Sequence, residues 1–135
     1  MNGKEYQDLA MRTNDGNSTK RLKKPLDLLS AEVKPACFDS VVKDLGGVIN
    51  GCLGLAGEVG EFNDMIKKWI FHEKGIDIDH AKKELGDVMW YVAMICESFG
   101  WDLDQILKMN VDKLIARYPD GFDVEKANNR AKGDI

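Results

Sequence analysis

The sequence of 135 residues has little proline, little cysteine and no block of like charge. Its 19 lysines and arginines against 23 aspartates and glutamates give a formal net charge of -4, and no basic cluster suits a phosphate backbone. The longest uncharged apolar run, 88–96, is far shorter than the ~20 residues of a membrane span. No apolar signal region follows residues 1–5. We therefore predict a soluble cytoplasmic protein that binds neither nucleic acid nor membrane.

The three cysteines, Cys37, Cys52 and Cys96, are odd in number, far apart and outside any C-x-x-C or Cys/His cluster. Two of them lie in apolar stretches, where a free thiol behaves as a small hydrophobe. We predict three reduced cysteines, with a zinc site or a disulfide framework as the alternative.

Hydrophobic periodicity predicts helices throughout, and no segment shows the period-2 alternation of a strand. The length indicates one domain over 1–135, and short loops between the main helices favour an antiparallel helical bundle. The expected fold class is therefore all-α, with a core over about 38–122. The main helices are predicted at about 3–13, 38–72, 79–99 and 103–118, and a last short helix follows Asp123. Asp77 or Asp79 is the expected N-cap of the helix at 79–99. Between the first two helices we predict a polar loop at 14–24 and a helical turn at 26–33.

Glycine is abundant in the first long helix, although each one costs about 1 kcal/mol against alanine there. Such a density is typical of close approach by another backbone, so we expect tight helix–helix packing. The six glycines are Gly46, Gly47, Gly51, Gly54, Gly57 and Gly60.

Two pairs of acids at i, i+3 spacing lie on the two long helices: Glu58 with Glu61, and Glu84 with Asp87. On the helical wheel Glu58 falls inside the apolar stripe through Leu55, and Glu61 lies just past its edge. Two carboxylates about 5 Å apart repel by ~3 kcal/mol at an effective dielectric constant of ~20, so four on facing helices need cations, protons or basic partners. Hard oxygen ligands suit Mg²⁺ or Mn²⁺, which also bring phosphates. The alternative is two exposed helix turns paired with nearby lysines.

The third main helix places Asn110 in the middle of its apolar stripe, with Lys113 and Arg117 one turn apart on the same side. Such a group suits an anionic ligand, and Arg117 offers a planar fork for phosphate oxygens. A structural asparagine is the alternative. We interpret His72 and His80 as loop or cap residues, because neither has the spacing of a metal ligand.

Three segments together resemble the MazG-like nucleoside triphosphate pyrophosphohydrolases. They are 54–61 (GLAGEVGE), 83–91 (KELGDVMWY) and 110–119 (NVDKLIARYP), and the resemblance covers about 48–122. That all-α superfamily also includes dimeric dUTPases and phosphoribosyl-ATP pyrophosphohydrolases. One departure is that many relatives begin the first motif with two adjacent acids, whereas Gly57 precedes Glu58 here.

The resemblance implies an enzyme that hydrolyses an NTP or dNTP to the monophosphate and pyrophosphate. Its implied Mg²⁺ ligands, for which Mn²⁺ is a possible substitute, are Glu58, Glu61, Glu84 and Asp87. The implied catalytic acids are Glu58 and Glu61, with Glu61 the preferred proton acceptor, and the implied substrate-binding residues are Lys113, Arg117, Asn110 and Lys67.

Two other functions stay open at the level of the sequence. One is a non-catalytic nucleotide-binding or interaction protein on the same scaffold, and the other is a member of the dUTPase or dCTPase type with a narrow base preference. A di-iron bundle is not expected, since it needs Glu-x-x-His pairs and neither acid pair has a histidine at i+3.

The run 88–96 has no polar face, so it needs neighbours on every side. We do not expect the first short helix or the polar loop to cover Trp90, Tyr91 and Met94, and a second subunit would do so. A homodimer or homotetramer is the expected assembly. The segment 14–34 lies outside the resemblance and is expected to act as a lid or a base-recognition segment. In the alternative, it folds over the apolar face of 88–96, and the protein is a monomer.

Overall fold

The computed structural model describes residues 1–27 and 42–129, and within those ranges it contains helices and no strand. This confirms the all-α prediction and the helical bundle. The helices are α1 (Gly3–Ala10, extended by a 3₁₀ turn, Met11–Thr13), α2 (Ser18–Asp27), α3 (Leu45–Phe71), α4 (Ile78–Phe99), α5 (Leu103–Arg117) and α6 (Val124–Asn128).

Aspartate N-caps fix the starts of the three main helices. The carboxylate of Asp44 accepts from the Gly47 amide, that of Asp77 from the Asp79 and His80 amides, and that of Asp102 from the Asp104 amide. Each cap satisfies amide groups that the first helical turn leaves without partners. Asp77, rather than Asp79, is thus the cap of α4.

The predicted boundaries of α4 and α5 are confirmed to within one residue, and the last helix does follow its Asp123 cap. The prediction of a helix from residue 38 is wrong at its start, because 42–44 precede the helix and Asp44 caps it. Residues 38–41, most of the predicted turn at 26–33, and Cys37 lie outside the described residues.

The predicted polar loop at 14–24 is wrong, because its second half forms α2. Turn-forming residues end at Asn17, and the following turn of helix rests on α3. A Cβ on Gly46 would overlap the backbone of Ser18 and Thr19, and the Gly46 amide donates to the Thr19 hydroxyl at 3.0 Å. A tertiary contact therefore stabilises a helix that the polar sequence did not indicate.

The main packing contact is between α3 and α4, and three glycines make it close. Added Cβ atoms at Gly47 and Gly54 would overlap Ser98 and the ring of Tyr91, and one at Gly51 would lie 2.6 Å from Cγ1 of Ile95. This confirms the expectation of tight packing. At Gly57 and Gly60, by contrast, a Cβ would meet no described residue within 4 Å.

Helix α1 crosses the junction between α4 and α5. The buried side chain of Gln7 donates to the Trp101 carbonyl at 3.2 Å and accepts from the Leu103 amide at 3.1 Å. The Asp104 carboxylate accepts from the Gly3 and Lys4 amides. A buried side chain that satisfies main-chain groups in this way fixes the position of α1 on the bundle.

The expectation that α1 does not cover Trp90 is wrong. The Trp90 indole donates to the Ala10 carbonyl at 3.1 Å and to the Thr13 hydroxyl at 2.9 Å. Tyr91 packs against Gly54, and Met94 is fully buried. Within one chain the apolar side of α4 is therefore covered only in part, since Ala93, Met94 and Cys96 are buried whereas Trp90 and Tyr91 stay half-buried.

Much of the exposed apolar surface lies on α5 and at the end of α3. Leu103 is buried, but the rest of α5 leaves large aliphatic side chains open, and the last turn of α3 exposes an aromatic-rich group. These side chains are Leu107, Val111, Leu114 and Ile115 on α5 and Trp69, Ile70 and Phe71 on α3.

Two of the cysteines are described, and both are free thiols: Cys52 is exposed and Cys96 is buried. Burial raises the pKa of the Cys96 thiol, which favours the inert protonated form. Within the described residues, none of the helices combines the length and the apolarity that crossing a bilayer requires.

Candidate active site

The acids lie where the tight α3–α4 packing opens. Successive contacts join Gly47 to Ser98, Gly51 to Ile95 and Gly54 to Tyr91, so the two helices run antiparallel. The next turn on the same face of α3 carries Glu58, since four residues advance a helix by about 40° beyond a full turn. Glycine packing therefore sets the distance between the helices at the acids.

Three of the predicted ligands converge. Carboxylate oxygens of Glu58, Glu84 and Asp87 all lie within 4.8 Å of one another. Glu84 is only 7% exposed, Glu58 is half-buried and Asp87 is exposed. Desolvation of the Glu58 carboxylate is the main cause that raises its pKa, and the charges of the neighbouring acids add to it. These acids are Glu61, Asp87 and Glu84. The site thus concentrates negative charge where a cation would relieve it.

Glu61, the fourth predicted ligand, lies beside this cluster. It lines a cavity of about 340 Å³ together with Glu84, above the open positions of Gly57 and Gly60. We call this space the acidic cavity. Its size is at the lower end of the ~300–1,000 Å³ that ligand pockets enclose.

A family model for the MazG nucleotide pyrophosphohydrolase domain matches residues 50–122, which hold all four acids. The chain belongs to this family. A curated relative, the "Gene 37 protein" of Mycobacterium phage L5, is 34% identical over 82 residues, which are 58% of this chain and 72% of the relative. No solved structure gave a significant match. The resemblance inferred from the three motifs is confirmed, and the MazG domain spans most of α3, all of α4 and all of α5.

Two residues near the acids were not assigned to the site from the sequence. His80 places Nε2 at 3.3 Å from Oε1 of Glu84 on the wall of the acidic cavity, so it is more than a cap residue of the MazG domain. The i, i+4 spacing of His80 and Glu84 is typical of a side-chain contact on one helix face, and this signal is separate from the spacing of metal ligands. Tyr6 of α1 donates to the Gly86 carbonyl at 3.5 Å. Burial and the charge of Asp87 raise the pKa of Tyr6, and no local sequence pattern pointed to this contact.

The predicted helper Lys67 has an acidic neighbour on its own helix. Its ammonium lies 2.5 Å from a carboxylate oxygen of Asp64, which also pairs with Lys68. These two lysines hold the pKa of Asp64 at about 2. Lys68 and Asp64 line the acidic cavity of the MazG domain, whereas Lys67 does not.

The other predicted substrate-binding residues lie on α5, which packs chiefly against α1 rather than against the acids. Asn110 and Lys113 are exposed, and Arg117 is half-buried with its guanidinium 5.9 Å from the centre of the Tyr118 ring. The structure therefore brings together three of the acids of the MazG domain, whereas its predicted phosphate-binding cations on α5 are not among the residues that line the acidic cavity.

Proposed function

We propose that this MazG-family protein is a Mg²⁺-dependent nucleoside triphosphate pyrophosphohydrolase that cleaves between the α and β phosphates. The observation that supports it most is the convergence of three carboxylates within 4.8 Å beside a cavity of about 340 Å³. Both features lie within the residues that match the family model.

The donor set fits a hard divalent cation. Glu58, Glu84 and Asp87 offer only carboxylate oxygens, which Mg²⁺ prefers, and Mn²⁺ has similar requirements. Desolvation, followed by the charges of the neighbouring acids, raises the pKa of Glu58, and a bound cation would offset that repulsion. The bound cation would supply Lewis-acid polarisation of the phosphoryl oxygens.

The chain's own residues supply the remaining roles. Glu61, exposed at the edge of the acidic cavity, is positioned to take the proton from the attacking water. His80 orients Glu84 through the contact at 3.3 Å. In keeping with the family motif, Lys113 and Arg117 would neutralise the leaving pyrophosphate and Asn110 would orient the sugar or an acid, although none of the three lines the acidic cavity of this chain. Lys67 assists once it leaves Asp64.

The protein is proposed to work as a homodimer or homotetramer. The support is the row of aliphatic side chains on α5, of which Leu107 is 46% and Ile115 59% exposed. A contiguous apolar face of this kind is typical of a contact between subunits. Light scattering should give two or four times the chain mass of 15.1 kDa, and Leu107→Glu should lower it. A wild-type mass near 15.1 kDa would contradict the assembly.

Product analysis tests the proposed reaction. The full chain, incubated with Mg²⁺ and each common or damaged NTP and dNTP in ¹⁸O-water, should release monophosphate and pyrophosphate, with the label in one of them. Early orthophosphate with a nucleoside diphosphate would contradict the cleavage position. Binding without turnover of any nucleotide would favour the non-catalytic function, and turnover of one base alone would indicate a dUTPase or dCTPase type.

A further inference from the structure

A second cavity, of about 270 Å³, lies between α2 and α3. It is smaller than the ~300–1,000 Å³ of pockets that enclose a whole ligand, so its size suits one ring system rather than a complete nucleotide. We call it the α2–α3 cavity. Its walls combine three aliphatic side chains with three polar ones: Leu22, Ile49 and Leu53, and Ser18, Arg21 and Asn50.

The charge in this cavity is balanced. Arg21 makes two hydrogen bonds to the Asp15 carboxylate, one of them 2.9 Å long, and this pairing lowers the pKa of Asp15 to about 2. A guanidinium that already faces a carboxylate attracts a phosphate much less than a free one does. The cavity is therefore suited to an uncharged ring and not to the phosphate end of a nucleotide.

Asn50 supplies a group able to recognise such a ring. Its amide nitrogen makes a long contact, 3.8 Å, to the sulfur of Met94, and its carbonyl oxygen has no hydrogen bond to any residue that the structure describes. A carboxamide offers donors and an acceptor to the edge of a base, and aliphatic side chains pack on its faces. Leu53, 71% exposed, lies at the open side.

The two cavities follow the same face of α3. Asn50 and Glu61 are eleven positions apart, which turns the helix by only about 20°. Leu53 of the α2–α3 cavity and Gly57 of the acidic cavity are one turn apart, about 6 Å along the axis. Gly57 and Gly60 carry no side chain, and a Cβ at either one would meet no described residue within 4 Å, which leaves room on this face of α3 between the cavities.

From this arrangement, and resting on the proposed function, we infer that the α2–α3 cavity binds the nucleobase of the substrate while its phosphates lie at the acids. The ribose would cross the glycine turn between the two cavities. The wall formed by Ser18, Arg21 and Leu22 lies outside the matched residues 50–122, so base preference is set partly by a helix beyond the family domain.

Filling the cavity tests this inference. Leu53→Trp should raise the KM for nucleoside triphosphates about tenfold or more with a smaller change in kcat. As competitive inhibitors, the nucleoside monophosphate should weaken to a similar degree, while inorganic tripolyphosphate, which has no base, should keep its inhibition constant. Ile70→Trp is the matched control, because Ile70 lies on the same helix, is 54% exposed and is outside both cavities.

A second variant and a binding measurement keep the test separate from catalysis. Asn50→Asp, which replaces the donor with a charge, should change the order of preference among bases. In an NMR titration without metal, common nucleosides should shift the amide signals of Asn50 and Leu53. An unchanged KM in Leu53→Trp, or equal weakening of both inhibitors, overturns the inference while the product analysis stands. If the wild-type protein releases no pyrophosphate from any nucleotide, the proposed function is overturned. In that case the nucleoside titration still decides whether the α2–α3 cavity binds a base.

Discussion

Glu58→Gln should lower kcat/KM by about 100-fold or more, because it removes a charged oxygen from the proposed metal site. The same change should stabilise the metal-free protein at neutral pH. Since burial and three acids raise the pKa of Glu58, the folded protein holds the Glu58 proton more tightly than the unfolded chain does, and it loses stability as pH rises through the pKa of the folded state. Glutamine removes that loss.

Addition of Mg²⁺ should reverse the order of stability, since only the wild type keeps its full affinity for the cation. Thermal unfolding with and without Mg²⁺, at several pH values, measures both effects. Glu125→Gln, an exposed change of the same kind on α6, is the control and should alter neither activity nor the response to Mg²⁺. Undiminished turnover in Glu58→Gln, or a metal-free variant less stable than the wild type, would contradict this account of the acids.

Gly54→Ala should destabilise the protein by about 1–3 kcal/mol, because the added methyl overlaps the Tyr91 ring and overpacks the α3–α4 contact. Activity should fall as well. Glu58 lies one turn further along α3, and a displacement of about 1 Å at a reacting site can cost about 100-fold in rate. Chemical denaturation and steady-state kinetics measure the two effects.

The matched control for Gly54→Ala is Gly86→Ala, where a Cβ meets nothing within 4 Å and the helix gains up to ~1 kcal/mol. In a Tyr91→Ala background, Gly54→Ala should lose most of its cost, since the double change removes the overlap. If Gly54→Ala is as stable as Gly86→Ala, the close approach of α3 and α4 does not depend on glycine.

Local signals were sufficient for the middle of the fold. Asp77 and Asp102 start α4 and α5, and Gly100, with φ of 72°, ends α4 in the left-handed conformation that glycine favours. Each of these effects acts within one turn of the chain, so the sequence alone contains it. For α2 the signal is a contact with Gly46, far along the chain, and no local pattern contains that.

The acids were predictable as a set, and their arrangement was not. Spacing and burial arguments selected all four carboxylates, and the structure places Glu58, Glu84 and Asp87 in one cluster with Glu61 beside it. Which acid joins the cluster depends on the rotation of α3 against α4, and side-chain contacts across the helices determine that rotation. Tyr6 was not predicted for the same reason, because α1 reaches the site only after folding.

The apolar surface shows the limit of patterns on a single helix. The absence of a polar face on 88–96 indicated that neighbours pack against this run, and α1 and α3 do contact Trp90 and Tyr91, which stay half-buried in the single chain. On α5 the open side chains, such as Leu114, became evident only from the fold, in which α1 makes the main contact with this helix among the described residues.

The most direct measurement for the central claim is anomalous diffraction from crystals of the full chain grown with Mn²⁺. We predict one strong peak at the α3–α4 acids, with carboxylate oxygens of Glu58, Glu84 and Asp87 about 2.0–2.6 Å from the ion. Manganese bound elsewhere on the chain, with these three carboxylates directed to separate solvent-facing surfaces, would contradict it.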